Sequence, residues 1–287
     1  MQKVTYVNPR GESVVFGNSK DGVFVLQKID GTVNVPSDIK STKSPYQDGS
    51  TFVDLQLADR QIPIEGFINA KSQQDLYERR RELARILNNK LGPGKLLYTN
   101  SHRSYVIDAI AEEGALLGER YVNANLFTVN FIANDPYWRD EIQIVKALKF
   151  EDGGFTFPLR LPTKFASASY RGNFYNSGDV DTPVEIWYTG PATNPVVENE
   201  TTGEYIKINY ELKEGDTLII NTAFGNKRVE ILNNDGTRKN VFHWIDLGST
   251  FFQLTPGQNV LKYGSDKDSD QQAATVTIYY NNRYLGG

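Results

Sequence analysis

RQIPIEGFINAKSQQDLYERRRELARILNNKLGPGKLLYT, residues 60–99, holds two hydrophobic periods in succession. Up to Ile68 the run is dense in apolar residues, the pattern of a strand. From residue 72 the period changes. Leu76, Tyr77, Arg80, Leu83, Ala84, Leu87 and Leu91 fall three and four residues apart, which predicts a helix over 72–91. Ser72 is placed to cap it, Asp75 sits in its first turn, and Gly92 followed by Pro93 supplies the stop. Glu78, Arg79, Arg81, Glu82 and Arg85 occupy the opposite face. The three consecutive arginines 79–81 therefore read as a solvated helix surface among acids rather than a phosphate site.

Upstream, residues 3–7, 22–29 and 52–68 are strand-like. Between them, residues 36–50 are rich in Ser, Asp, Pro and Gly and read as a long loop or an extended arm, a length uncommon in a monomer. Downstream come strand-like runs at 95–99, 103–112 and 120–133, and Asp135-Pro136 forces a turn that closes the segment. One helix laid over a mostly antiparallel sheet predicts an α+β domain over residues 1–140.

From residue 141 no helical period survives. Short apolar runs at 155–161, 183–188, 205–208, 217–221, 227–232, 259–263 and 274–280 alternate with Gly, Asn, Asp and Pro turn signals. Many short strands at close spacing predict a jelly-roll type β-sandwich over 141–287. A chain of 287 residues fits two cores of about 140 residues each. The fold class expected is thus mainly β with one long helix.

A net charge of −4 gives no basic field for nucleic acid. The absence of cysteine excludes disulfides, thiol catalysis and thiolate metal sites. Neither a signal peptide nor a membrane span is expected, because no apolar run approaches the roughly 18 residues such a span needs. The two histidines, His102 and His243, lie in different predicted domains, so neither a Ser-His-Asp triad nor a His-rich zinc site is expected. No phosphate-binding glycine loop is present, since Gly153-Gly154 and Gly286-Gly287 lack its spacing. The acidic run at 265–270 lacks the glycine and distal glutamate of a calcium loop and reads as a solvated hairpin tip. No acid is singled out as half of a hydrolytic carboxylate pair. Neither cofactor nor metal is expected.

Two aromatic positions remain. In Val184-Glu-Ile-Trp-Tyr188 the alternation sets Val184, Ile186 and Tyr188 on one face and Glu185 with Trp187 on the other. Trp244 lies near Asp246. Trp187 beside Glu185 and Trp244 beside Asp246 are the candidates for stacking on a sugar ring, although packing of Trp187 into the core is the stronger expectation.

The order and spacing of residues 60–68, the helix after them, Gly94-Lys-Leu-Leu-Tyr98, Tyr105-Val-Ile-Asp108 and Asn134-Asp-Pro-Tyr-Trp138 resemble the distal tail proteins of long-tailed bacteriophages, the siphophage tail proteins. In the second half Tyr175-Asn-Ser-Gly-Asp179, Thr182-Pro-Val-Glu-Ile-Trp187 and Gly215-Asp-Thr-Leu-Ile-Ile-Asn221 resemble that family's galectin-like C-terminal sandwich. The resemblance spans nearly the whole chain. It implies a structural protein of the virion tail, assembled in the host cytoplasm, and not an enzyme. It further implies a hexameric ring of N-terminal domains that continues the tail-tube lumen. The tail-tube protein, a tail-associated hub protein and receptor-binding or baseplate proteins are the implied partners. The alternative reading is a carbohydrate-binding protein that grips host-surface glycans through its C-terminal sandwich.

Overall fold

The computed structural model describes residues 2–18, 22–151, 169–267 and 273–287. The chain divides into two compact units, Met1–Glu141 with Tyr284–Gly287, and Ile142–Arg283.

The first unit contains β1 (Lys3–Val7), β2 (Ser13–Gly17), β3 (Phe24–Ile29), β4 (Ser37–Thr42), β5 (Thr51–Leu57), β6 (Arg60–Asn69), α1 (Gln73–Ile86), β7 (Gly94–Thr99), β8 (Ser104–Arg120), β9 (Ala124–Ala133) and β10 (Trp138–Asp140). Neighbours run β8, β7, β1, β2, β3, β6, β9, and β9 pairs again with β8, so the path closes into a barrel. Closure removes the free strand edges of an open sheet. Alternate side chains fill the interior: Val4 and Tyr6, Val14 and Phe16, Ile62 and Ile64, Leu96 and Tyr98, Phe127, Val129 and Phe131 are all buried. Gly66 allows this packing, because a Cβ there would lie 2.2 Å from the Val25 carbonyl oxygen.

Ser72 caps α1, its Oγ accepting from the Asp75 amide at 3.1 Å, and Leu76, Leu83 and Ile86 are buried. The helix is shorter than the period predicts. It ends at Ile86, and Asn88 starts a separate 3-10 turn, Asn89–Leu91, by accepting from the Lys90 amide. Gly92, at φ 85°, terminates that turn rather than the helix. Tyr77 and Ala84, expected on the apolar face, are exposed. Among the three arginines, Arg79 bonds Asp75 and Glu82, as expected for a solvated face.

Two further differences concern strands. The run at 52–68 is two strands, and β5 pairs with β4 rather than with the barrel, so the 36–50 segment belongs to a hairpin with its own register from Ser37↔Leu57 to Thr42↔Thr51. β8 extends to Arg120, well past the expected end at 112.

The second unit contains β11 (Ile144–Glu151), β12 (Ser169–Asn176), β13 (Thr182–Thr189), β14 (Ala192–Thr193), β15 (Val196–Asn199), β16 (Glu204–Lys207), β17 (Glu211–Leu212), β18 (Thr217–Asn221), β19 (Arg228–Leu232), β20 (Arg238–Asn240), β21 (Gln253–Leu254), β22 (Gly257–Gly264) and β23 (Thr275–Tyr280). β11 belongs to two sheets: its first part pairs with β23 and its last part with β12. One sheet runs β11, β23, β13, β18, β19, β20, and the other β11, β12, β22, β15, β16. Ile186, Ile220 and Ile278 from the first and Phe174, Val197 and Leu261 from the second share one buried cluster. That arrangement is a sandwich. The strand expected at 155–161 lies outside the described residues.

The expected sandwich range of 141–287 differs at its end, because Tyr284–Gly287 group with the first unit.

Candidate functional site

Every residue of β4 is exposed, and so is all of β5 except the half-buried Leu57. The hairpin nevertheless carries large apolar side chains: Ile39 is 60% and Phe52 63% exposed, with Val53 and Leu55 similar. Its two strands pair with each other and with no other described strand. A lone hairpin is marginal in water and leaves both edges free.

Arg60 opens β6 with its side chain fully buried. Nε donates to the Pro136 carbonyl at 2.6 Å, Nη1 to Gly31 at 2.6 Å and Asn34 at 3.4 Å, and Nη2 to Leu285 at 2.6 Å. Burial pulls its pKa down to about 10, which still leaves it charged at neutral pH. Trp138 Nε1 donates to the Thr32 carbonyl at 3.1 Å, and the Gly287 amide donates to the same carbonyl at 2.9 Å. These partners are backbone groups, which leave no signature in side-chain identity, so sequence reasoning missed this clamp.

In the second unit Trp187 is half-buried on the outer face of β13. Core packing of this indole, the stronger sequence expectation, is therefore corrected. The alternation itself holds, since Val184, Ile186 and Tyr188 are the buried set. Trp187 Nε1 donates to Glu185 Oε1 at 2.8 Å, while Asn221 and Arg228 donate to Oε2 at 3.1 and 2.9 Å. The Trp187 and Tyr279 rings meet at 5.5 Å. Burial by itself raises the Glu185 pKa, but the bonds from Trp187 and Asn221 and the charge of Arg228 outweigh it and hold the carboxyl below its ordinary value. A carboxylate so stabilised is a poor general acid or base near neutral pH.

Trp244 is also half-buried and stacks on Tyr210, centroids 3.8 Å apart and planes 6° from parallel. Asp246 accepts from the Gly248 amide at 3.0 Å and from the Tyr205 hydroxyl at 3.4 Å. Each candidate pair thus has its own partners, and among the described residues no hydrogen bond or ring contact joins Trp187 and Glu185 to Trp244 and Asp246.

His102 lies in a turn whose amides bond Asn100 Oδ1, and His243 lies in the 3-10 turn Phe242–Trp244 beside the Trp244 ring. In the acidic run, Asp266 pairs with Lys207 and accepts from Asn194; Asp268 and Asp270 lie outside the described residues. Among the described residues no cluster of three His, Cys, Asp or Glu could hold a metal ion. No described helix is long and apolar enough to cross a membrane.

The first unit is thus a barrel carrying one helix and an exposed hairpin, and the second is a sandwich. Residues 10–133 match the phage tail protein RIFT-related domain, and residues 177–284 match the C-terminal domain of the siphovirus-type tail component. The chain belongs to the siphophage distal tail proteins, components of the tail and baseplate hub. In fold it is similar to the crystal structure of SPP1 Dit, described as a paradigm of the hub adsorption apparatus in phages infecting Gram-positive bacteria: TM-score 0.72, 15% identity, 99% of each chain covered. It is also similar to a chain of the phage P2 baseplate in its activated conformation with calcium (TM-score 0.57, 13% identity, 100% of this chain and 99% of that one). The strontium form of that baseplate gives a TM-score of 0.56 at 14% identity, covering 97% of both chains. No curated protein is significantly similar in sequence.

Proposed function

We propose that this tail component forms a hexameric ring through its first unit, joins the tail tube to the baseplate, and holds hub and receptor-binding proteins. The observation that carries this reading is the β4–β5 hairpin, whose exposed Ile39, Phe52, Val53 and Leu55 need a surface that its own chain does not supply. A neighbouring copy in a closed ring supplies it at every subunit and leaves no unmatched contact. The cost of ordering the hairpin is offset by the apolar area it buries there. The resemblance to hub and baseplate structures supports the same reading. Assembly takes place in the host cytoplasm, in keeping with a chain that has no cysteine. The role is non-enzymatic, in keeping with the family.

Light scattering and negative-stain class averages test this directly. Six-fold rings with a central channel are expected, and Phe52→Ser with Leu55→Ser should abolish them without lowering the melting temperature, because both side chains are exposed in the single chain. A strict monomer at high concentration, also in the presence of tail-tube and hub proteins, would overturn the reading.

Carbohydrate binding has weaker support. The partly exposed Trp187 is the one observation in its favour, and its N–H, like both oxygens of Glu185, is already engaged within the sheet.

A further inference from the structure

On the second unit, the tip between β18 and β19 and the segment after β20 build an exposed aromatic surface around one cation. The Lys227 ammonium sits 4.3 Å from the Phe224 ring centroid and 5.4 Å from that of Phe251. Phe251 in turn stacks with Phe242 at 5.6 Å and 12°. Phe224 is 76% and Phe242 41% exposed, while Phe251 is partly buried and packs against the sandwich core. The surface is held in place by local bonds. Asn221 Oδ1 accepts from the Ala223 amide and Asn240 Oδ1 from the Phe242 amide, and the Asn226 amide donates to the Ala223 carbonyl.

The charge at its centre is distinctive. Arg228, the next residue, is neutralised by Glu185 and Glu230, whereas Lys227 forms no ion pair among the described residues. Any partner that covers the Phe224 and Phe242 rings also strips water from this ammonium. Burying a charge is costly unless the covering surface brings an opposite one. A second copy docking the same patch face to face would place two ammoniums together, which the same argument disfavours.

We infer that Phe224, Lys227, Phe242 and Phe251 form a docking surface for a different tail protein, one that presents apolar side chains beside an Asp or Glu carboxylate. The rings supply the apolar anchor and the ammonium selects the carboxylate, the combination of aromatic centre and desolvated charge found at interface hot spots. The inference rests on the hub reading and goes beyond it by assigning the contact to one face of the second unit.

The test uses tail-tip assemblies reconstituted from the full chain and the tail proteins produced with it. Amines are acetylated with an N-hydroxysuccinimide ester in the assemblies and in the free chain, and lysine–carboxylate contacts are joined with a carbodiimide, both read by peptide mass spectrometry. At least a tenfold slower acetylation of Lys227 in the assembly is expected, together with its coupling to an Asp or Glu of a different tail protein. Equal acetylation, coupling to a second copy of this chain, or protection without any coupling would each overturn the inference. Phe224→Ser with Phe242→Ser should keep the melting temperature and the ring, measured in the same preparation, and lose the coupled product. Rings with a fully reactive Lys227 would sink this inference alone. Absence of any assembly with the unaltered chain would remove the hub reading and this inference with it.

Discussion

Arg60 and Leu285 stand 225 positions apart in the sequence and are joined by a 2.6 Å hydrogen bond from guanidinium to carbonyl. The same guanidinium holds Gly31 and Pro136, so one side chain fastens the entry to the hairpin, the turn after β9 and the last residues of the chain. A planar donor fork suits three carbonyls arriving from different directions.

Replacing Arg60 by Met should therefore destabilise the first unit by about 3–5 kcal/mol, since it leaves buried carbonyls without donors. Arg60→Lys should restore little, because a single ammonium does not reproduce the fork. Urea unfolding followed by fluorescence in a chain carrying Trp187→Phe and Trp244→Phe, which leaves Trp138 as the reporter of the first unit, measures both. A loss below about 1 kcal/mol for Met would show that water replaces the clamp.

Deleting residues 284–287 should mimic the Arg60 change. The deletion removes the Leu285 carbonyl, the Gly287 amide bond to Thr32 and the Tyr284 hydroxyl bonded to Arg103 and Asp140. Combining it with Arg60→Met should cost less than the sum of the two, the signature of residues sharing one network. Full additivity in thermal melts would contradict the clamp.

The second unit, residues 142–283, should fold alone with one cooperative transition, because its buried cluster is drawn from its own strands. Expression of that fragment and calorimetry test this. A broad, non-cooperative melt would mean that the boundary is misplaced.

Acid should weaken this unit through Glu185. Its folded pKa lies below the ordinary 4.5, so the stabilisation it gives is complete above that value and is lost as pH falls from there through the folded pKa. Glu185→Gln should lower stability at pH 7 and flatten the decline of stability that otherwise sets in as pH falls below the ordinary 4.5. An unchanged profile in acid titration followed by circular dichroism would show that the network contributes nothing.

Trp187→Ala should cost about 1–2 kcal/mol, less than the 3–5 of a fully buried aromatic, because the ring is half-buried against Tyr279. The unaltered protein should give no signal on a glycan array. A hit lost in a well-folded Trp187→Ala chain would revive the carbohydrate reading.

By itself the sequence determined the periodic elements. The period-2 runs at 3–7 and 183–188 set which side chains face a core, and the period-3.6 run after Ser72 placed Leu76, Leu83 and Leu87 there though not Tyr77 or Ala84, since the geometry of strands and helices is local. It also determined the family, through motifs whose order survives the loss of identity. It could not separate Thr51–Leu57 from Arg60–Asn69, because both are strand-like and only pairing partners distinguish them. Alternation set Trp187 opposite Val184, Ile186 and Tyr188, but sequence could not show the network around Glu185, since that depends on what Asn221 and Arg228 bring across the sheet. Barrel closure between β8 and β9, the return of Tyr284–Gly287 to the first unit and the burial of Arg60 were decided by tertiary structure alone. Each depends on backbone groups meeting across long separations, and a backbone carbonyl is the same chemical group whatever residue carries it.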